Sequence, residues 1–186
     1  MRSFVILLSF IAALAVGASK IEQRDALTIG RLYGYGTNIG GLPLFYGDGI
    51  AYLGKNAPSN VSLAMNVTFL HPSSSNMSVI ADPLNSNTTI LTPPSLFINA
   101  APNAVEPAGF ITLDNTTNST TETDFTIFGS ALYFKNSSGP IQAQFYASPT
   151  DTDGTYVLKW NTNNIVESNS VPVTLKNIAP PSILAR

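Results

Sequence analysis

No cysteine occurs among the 186 residues. Disulfides, thiol catalysis, Cys-ligated zinc and iron–sulfur sites are therefore excluded. Charge is also sparse: Asp, Glu, Lys and Arg make up 11% of the chain, with no basic cluster. That argues against nucleic acid and anionic membrane surfaces as partners. The single histidine, His71, precedes Pro72. A His-rich metal site is excluded, and a Ser-His-Asp triad through His71 lacks an accompanying nucleophile elbow. No segment keeps a 3.6-residue apolar period, so units of alternating strand and helix are not expected.

Only one long apolar run exists, and it is terminal. Met1-Arg2-Ser3 is followed by an apolar stretch from Phe4 to Val16 and by Gly17-Ala18-Ser19-Lys20. One basic residue before a short apolar run is the order of a secretory signal peptide. The 13 residues fall short of the roughly 20 that a membrane span needs. Val16 and Ala18 supply small side chains at the −3 and −1 positions of a cut after Ala18. The expected organisation is a signal peptide over 1–18, a short polar lead over 19–25, one domain over 26–178 and a C-terminal tail over 179–186. That tail carries neither a lipid-anchor signal nor an ER-retention tetrapeptide. The expected product is secreted, extracellular and without a membrane anchor. Without Arg2, eight basic residues face eleven acidic ones. A domain this long buries about two-thirds of its unfolded surface, enough for a core without disulfides.

The remaining apolar runs are short, β-branched or aromatic, and bounded by Gly, Pro, Asn or Ser. This pattern predicts an all-β, single-domain antiparallel β-sandwich, with jelly-roll and Ig-like topologies both open. The clearest strand is 61–70, where Val61, Leu63, Met65, Val67 and Phe69 alternate with polar or small residues. Residues 42–46 and 50–53 flank Gly47-Asp48-Gly49 and read as a tight hairpin. Residues 141–147 and 155–160 form a second pair, joined by 148–154. Further strands are expected at 26–33, 78–81, 88–91, 95–99, 109–113, 125–134 and 171–176.

Seven Asn-X-Ser/Thr sequons occur, at Asn60, Asn66, Asn76, Asn87, Asn115, Asn118 and Asn136. Behind a signal peptide each is an N-glycosylation candidate, and glycans would replace charge as the solubilising coat. Asn66 falls on the polar face of the 61–70 strand, so a glycan there is expected to point to solvent. Asn, Ser and Thr also favour turns without any sugar.

Other chemistry has weaker signals. Asp151-Thr-Asp153-Gly154 resembles the start of a calcium loop, but Thr162 stands where an EF-hand requires Glu. An Asp-Gly turn is the preferred reading. The glycine-rich run 34–41 lacks dinucleotide-motif spacing and reads as a bulged or tightly turned segment beside a sheet edge. Paired carboxylates for glycoside hydrolysis would have to come from Asp48, Asp82, Glu106, Asp114, Glu122, Asp124 and Glu167, and no spacing selects a pair. Tyr156, Leu158 and Trp160 share one strand face, so Trp160 reads as core. Tyr33, Tyr35, Tyr46, Tyr52 and Tyr146 are the candidate ligand platform. No catalytic residue, metal site or cofactor is expected.

The run Tyr33-Gly-Tyr-Gly-Thr-Asn-Ile-Gly-Gly-Leu-Pro-Leu-Phe-Tyr-Gly-Asp-Gly-Ile-Ala-Tyr-Leu-Gly54 resembles the N-terminal signature of small secreted proteins of filamentous ascomycetes. Tyr156-Val-Leu-Lys-Trp-Asn161 and Val171-Pro-Val-Thr-Leu175 are similar to their C-terminal half. The resemblance implies a fungal, extracellular setting and supplies no catalytic residues. The leading expectation is a non-enzymatic secreted glycoprotein of the cell wall, extracellular matrix or host interface, with weak binding to wall or matrix polysaccharide. An extracellular polysaccharide-acting hydrolase and a secreted effector that binds a host protein are the alternatives. Oligomeric state is not legible.

Overall fold

The computed structural model describes residues 27–71, 79–81, 94–112, 121–122, 124–135, 139–161 and 167–182. The expected signal peptide, the polar lead, the 88–91 strand and the last four residues lie outside them. The described residues contain no helix and fifteen strands, every pairing antiparallel. The first group is β1 (Leu27–Gly30), β2 (Tyr33–Gly36), β3 (Ile39–Gly47), β4 (Ile50–Leu53), β5 (Ala64–His71) and β6 (Val79–Ala81). Next come β7 (Ser95–Asn99), β8 (Gly109–Ile111), β9 (Thr121–Glu122), β10 (Phe125–Phe128), β11 (Ala131–Lys135) and β12 (Ile141–Gln142). The last three are β13 (Phe145–Pro149), β14 (Tyr156–Trp160) and β15 (Val171–Lys176).

Six of these strands close on themselves. β2 pairs with β3, β3 with β4, β4 with β14, β14 with β13, β13 with β15, and β15 returns to β2. A closed ring leaves no free edge, which removes the row of unpaired backbone groups that an open sheet exposes. Three sets of strands hang from the ring. β5, flanked by β1 and β6, pairs with the second half of β3. β8 joins β4 at Ile50 and carries β7 and then β9. β11 joins β15 at Lys176 and carries β10 and β12. The all-β, antiparallel expectation holds. The core, however, is enclosed by a barrel with added strands and does not divide clearly into the two facing sheets of a sandwich.

Period-two alternation decides what fills the ring. On β13, Phe145 and Ala147 are buried while Tyr146 and Ser148 are partly exposed. On β15, Val173 and Leu175 are buried between partly exposed Thr174 and Lys176. Leu44, Leu53, Leu158 and Leu175 are all within 1% of fully buried. Trp160 is 1% exposed, in agreement with its core reading. Its indole meets Phe145 edge-on at 4.9 Å and Phe134 at 5.7 Å. These rings tie the β10–β11 hairpin to the barrel wall, and aromatic pairs add about 0.5–1.5 kcal/mol beyond area burial.

Local corrections follow from turn chemistry. The expected strand 125–134 is a hairpin, because Gly129 adopts φ 63° and reverses the chain at 129–130. A glycine in the left-handed region at the first central position is what a type II′ turn demands. Strand 26–33 divides into β1 and β2, and 141–147 into β12 and the start of β13. The glycine-rich run forms the β2–β3 hairpin with a bulge, since Gly34 pairs with Leu42 and Tyr35 with Gly40. Gly41 is the extra residue and has φ 87°. This segment lies inside the ring between β3 and β15 and not at a sheet edge.

Candidate functional site

The five platform tyrosines do not act as a set. Tyr52 is 5% exposed and stacks on Phe45 with ring centroids 5.4 Å apart. Burial raises its phenol pKa above the ordinary 10.0, and the negative charges of Asp48 and Asp151 raise it further. Tyr46 packs against Phe110 at 5.4 Å. Tyr52 is therefore buried, whereas Tyr46, on the opposite strand face, is partly buried against the core. Tyr33 and Tyr35 flank Gly34 on β2, and a Cβ on Gly34 would lie 2.5 Å from Leu53 Cδ1 inside the ring. The tyrosines therefore face outward. Tyr35 pairs with Thr174 and Tyr33 with Lys176, whose ammonium sits 5.5 Å from the Tyr35 ring centre. The Tyr35 hydroxyl donates to the Ile178 carbonyl at 2.7 Å, so the chain after β15 runs over this face. Tyr146 is partly exposed on the outer side of β13, opposite Pro172 and Lys159. Three tyrosines thus share the outer β2–β15–β13 surface, Tyr52 is buried, and Tyr46 is partly buried beside the core.

A groove of about 260 Å³ opens elsewhere on the barrel. Pro43 and Phe45 of β3 line it together with residues 54–57 after β4 and Ala64, Met65 and Asn66 of β5. Phe45 is the direct cross-strand partner of both Asn66 and Tyr52. Partners across an antiparallel pair hold their Cβ atoms about 4.5–5.5 Å apart, so Asn66, Phe45 and Tyr52 form one row on the outer side of the barrel. Thr68 follows Asn66 on the same strand face. The groove joins an aromatic and a proline ring to amide and ammonium groups from Asn56, Asn66 and Lys55. Its size sits near the lower end of small-ligand sites, about 300 Å³. Phe45 escaped the sequence reading because 42–46 is apolar without alternation, the pattern of a strand covered on both faces.

Two sequons fall on described residues. Asn60 is exposed in a turn, while Asn66 is half-buried in the groove. The alternation that places Asn66 opposite Met65, Val67 and Phe69 is observed, and those three are at most 4% exposed. Residues 61–63, however, precede β5, and Leu63 is 39% exposed and no part of the apolar face. Asn76, Asn87, Asn115, Asn118 and Asn136 lie outside the described residues.

Three of the candidate acids have individual partners, and Asp82 and Asp114 lie outside the described residues. Asp48 accepts from the backbone N–H groups of Ser62 and Leu63. Glu106 accepts from the Asn99 side-chain amide at 3.1 Å. Glu167 pairs with Lys159 at 2.7 Å beside Tyr146 and Trp160. No carboxylate lines the Phe45 groove. Among the described residues no three His, Asp or Glu side chains gather as a metal site. Residues 150–155 form the turn between β13 and β14. Thr150 N–H donates to the Thr155 carbonyl at 3.0 Å, and Gly154 has φ 70°. His71 ends β5, at the strand terminus where the sequence puts it.

No protein-family model, curated protein or solved structure matches this chain.

Proposed function

We propose that this protein is a secreted, non-enzymatic glycoprotein of the cell wall or extracellular matrix that works by contact and binds carbohydrate weakly through the Phe45 groove. The observation that carries this reading is the composition of the groove. Apolar surface from Pro43, Ala57 and Ala64, with the small part of the 5%-exposed Phe45 ring left uncovered, suits the C–H face of a pyranose. The neighbouring Asn56, Asn66 and Lys55 suit its hydroxyls. The absence of a carboxylate from its lining gives the paired-acid hydrolase no support at this place, since that chemistry needs two acids flanking one bond. The signal-peptide pattern, the sequons and the low charge favour an extracellular setting.

Retention of the secreted protein on insoluble chitin, glucan and mannan tests the binding. The expected result is weak retention on at least one polymer, eluted by its soluble oligosaccharide and lost in Lys55→Ala/Asn56→Ala. Retention on none removes carbohydrate binding from the reading.

A further inference from the structure

We infer that the groove is the seat of the protein's own Asn66 glycan, whose first sugar packs beside Phe45 and competes with outside saccharides for the groove, which keeps their binding weak. This rests on the reading of the chain as secreted and of the groove as sugar-binding. Three observations converge. Asn66 heads a complete sequon with Thr68. Asn66 lines the groove of about 260 Å³, and it is half-buried there. Its cross-strand partner is Phe45. A sugar joined to Asn66 Nδ2 therefore begins within one side-chain length of the aromatic floor. Asn60, also a complete sequon, is exposed in a turn and has no such floor.

Attachment requires a polyprenyl-diphosphate-linked oligosaccharide. Asn66 Nδ2 attacks the anomeric carbon, the C1–O bond to the diphosphate breaks, the diphosphate leaves and Nδ2 loses one proton. Because Asn66 belongs to a strand paired on both sides, this step precedes closure of β5 onto β3. The folded groove then covers the linkage.

The test digests the native secreted protein with a peptide N-glycosidase and follows Asn-to-Asp conversion at each site by mass spectrometry. Asn66 is expected to be occupied and to be released roughly tenfold or more slowly than Asn60, with the difference abolished on denaturation, as for any bond exposed only by local opening. Phe45→Leu keeps the sequon and should bring the two rates together. Thr68→Ala, which removes the glycan and leaves Asn66, should bind soluble chito-oligosaccharide more tightly than wild type. An unmodified Asn66, or native release as fast as at Asn60, overturns the inference without touching polymer binding. A protected Asn66 with no binding by either form upholds the seated glycan and overturns the carbohydrate-binding reading together with the competition.

Discussion

Asp48 and Leu63 bind each other twice. The Leu63 N–H donates to the Asp48 carboxylate at 2.8 Å, and the Asp48 N–H donates to the Leu63 carbonyl at 3.0 Å. The Ser62 N–H adds a third bond, to the other carboxylate oxygen at 2.7 Å. Asp48 sits in the β3–β4 turn with φ 46°, followed by Gly49 at 89°. Two consecutive left-handed residues are the type I′ pattern that an Asp-Gly pair favours. The staple holds residues 61–63 against the barrel. The Val61 side chain and the Tyr52 ring then crowd the same side of Gly47, which buries Tyr52.

Asp48→Ala should therefore destabilise the fold by about 1–3 kcal/mol, from lost charge-assisted hydrogen bonds and a left-handed backbone that alanine disfavours. Asp48→Gly separates the two causes, because it restores backbone freedom and not the carboxylate. Denaturant titration of the three proteins measures both parts. Equal stability of wild type and Asp48→Gly would show that the carboxylate contributes nothing.

Tyr52 makes stability depend on alkaline pH. Its folded pKa is raised, so the neutral phenol is favoured in the folded chain. An unfolded tyrosine ionises near 10. Stability from this group is thus fully present below about pH 10 and is lost as pH rises toward the folded value. Tyr52→Phe should flatten the fall in unfolding free energy above about pH 10 relative to wild type. Parallel curves for the two proteins would rule Tyr52 out as the cause.

Glycines at neighbouring positions should behave oppositely. A Cβ on Gly34 would lie 2.5 Å from Leu53 Cδ1, and Leu53 is fully buried. Overpacking of this kind costs about 1–3 kcal/mol. A Cβ on Gly40 would meet nothing within 4 Å, so Gly40→Ala should be neutral or stabilise by up to about 1 kcal/mol through the unfolded chain. Thermal melts of the two alanine variants decide between these outcomes.

Aromatic residues divide just as sharply. Trp160→Ala removes the ring between Phe134 and Phe145 and should cost about 3–5 kcal/mol. As the chain's single tryptophan, Trp160 should emit in the blue when folded and shift red on unfolding. Phe128 is 69% exposed at the β10–β11 turn, and Phe128→Ser should change stability by no more than about 0.5 kcal/mol. If Phe128→Ser instead abolished capture of a protein partner, the effector alternative would gain its contact residue.

All-β character, the bounds of β4, β7 and β15, the Asp48-Gly49 turn and the burial of Trp160 were legible from the chain. Each depends on neighbours within a few residues: side-chain alternation, glycine or aspartate in the left-handed region, an aromatic on an apolar face. The split of 125–134 was missed because the apolar pattern continues across Gly129 and only the backbone at that residue reverses. Ring closure had no local signal. It depends on β4 meeting β14 about a hundred residues later, through Leu53 with Tyr156 and Tyr52 with Val157. Any strand with one apolar face satisfies the alternation, so pairing partners are chosen by how the barrel encloses the core. The same holds for the groove. Asn66 is a sequon in any fold, but only the β3–β5 register sets it beside Phe45, and only the loop after β4 turns that pair into a concave site.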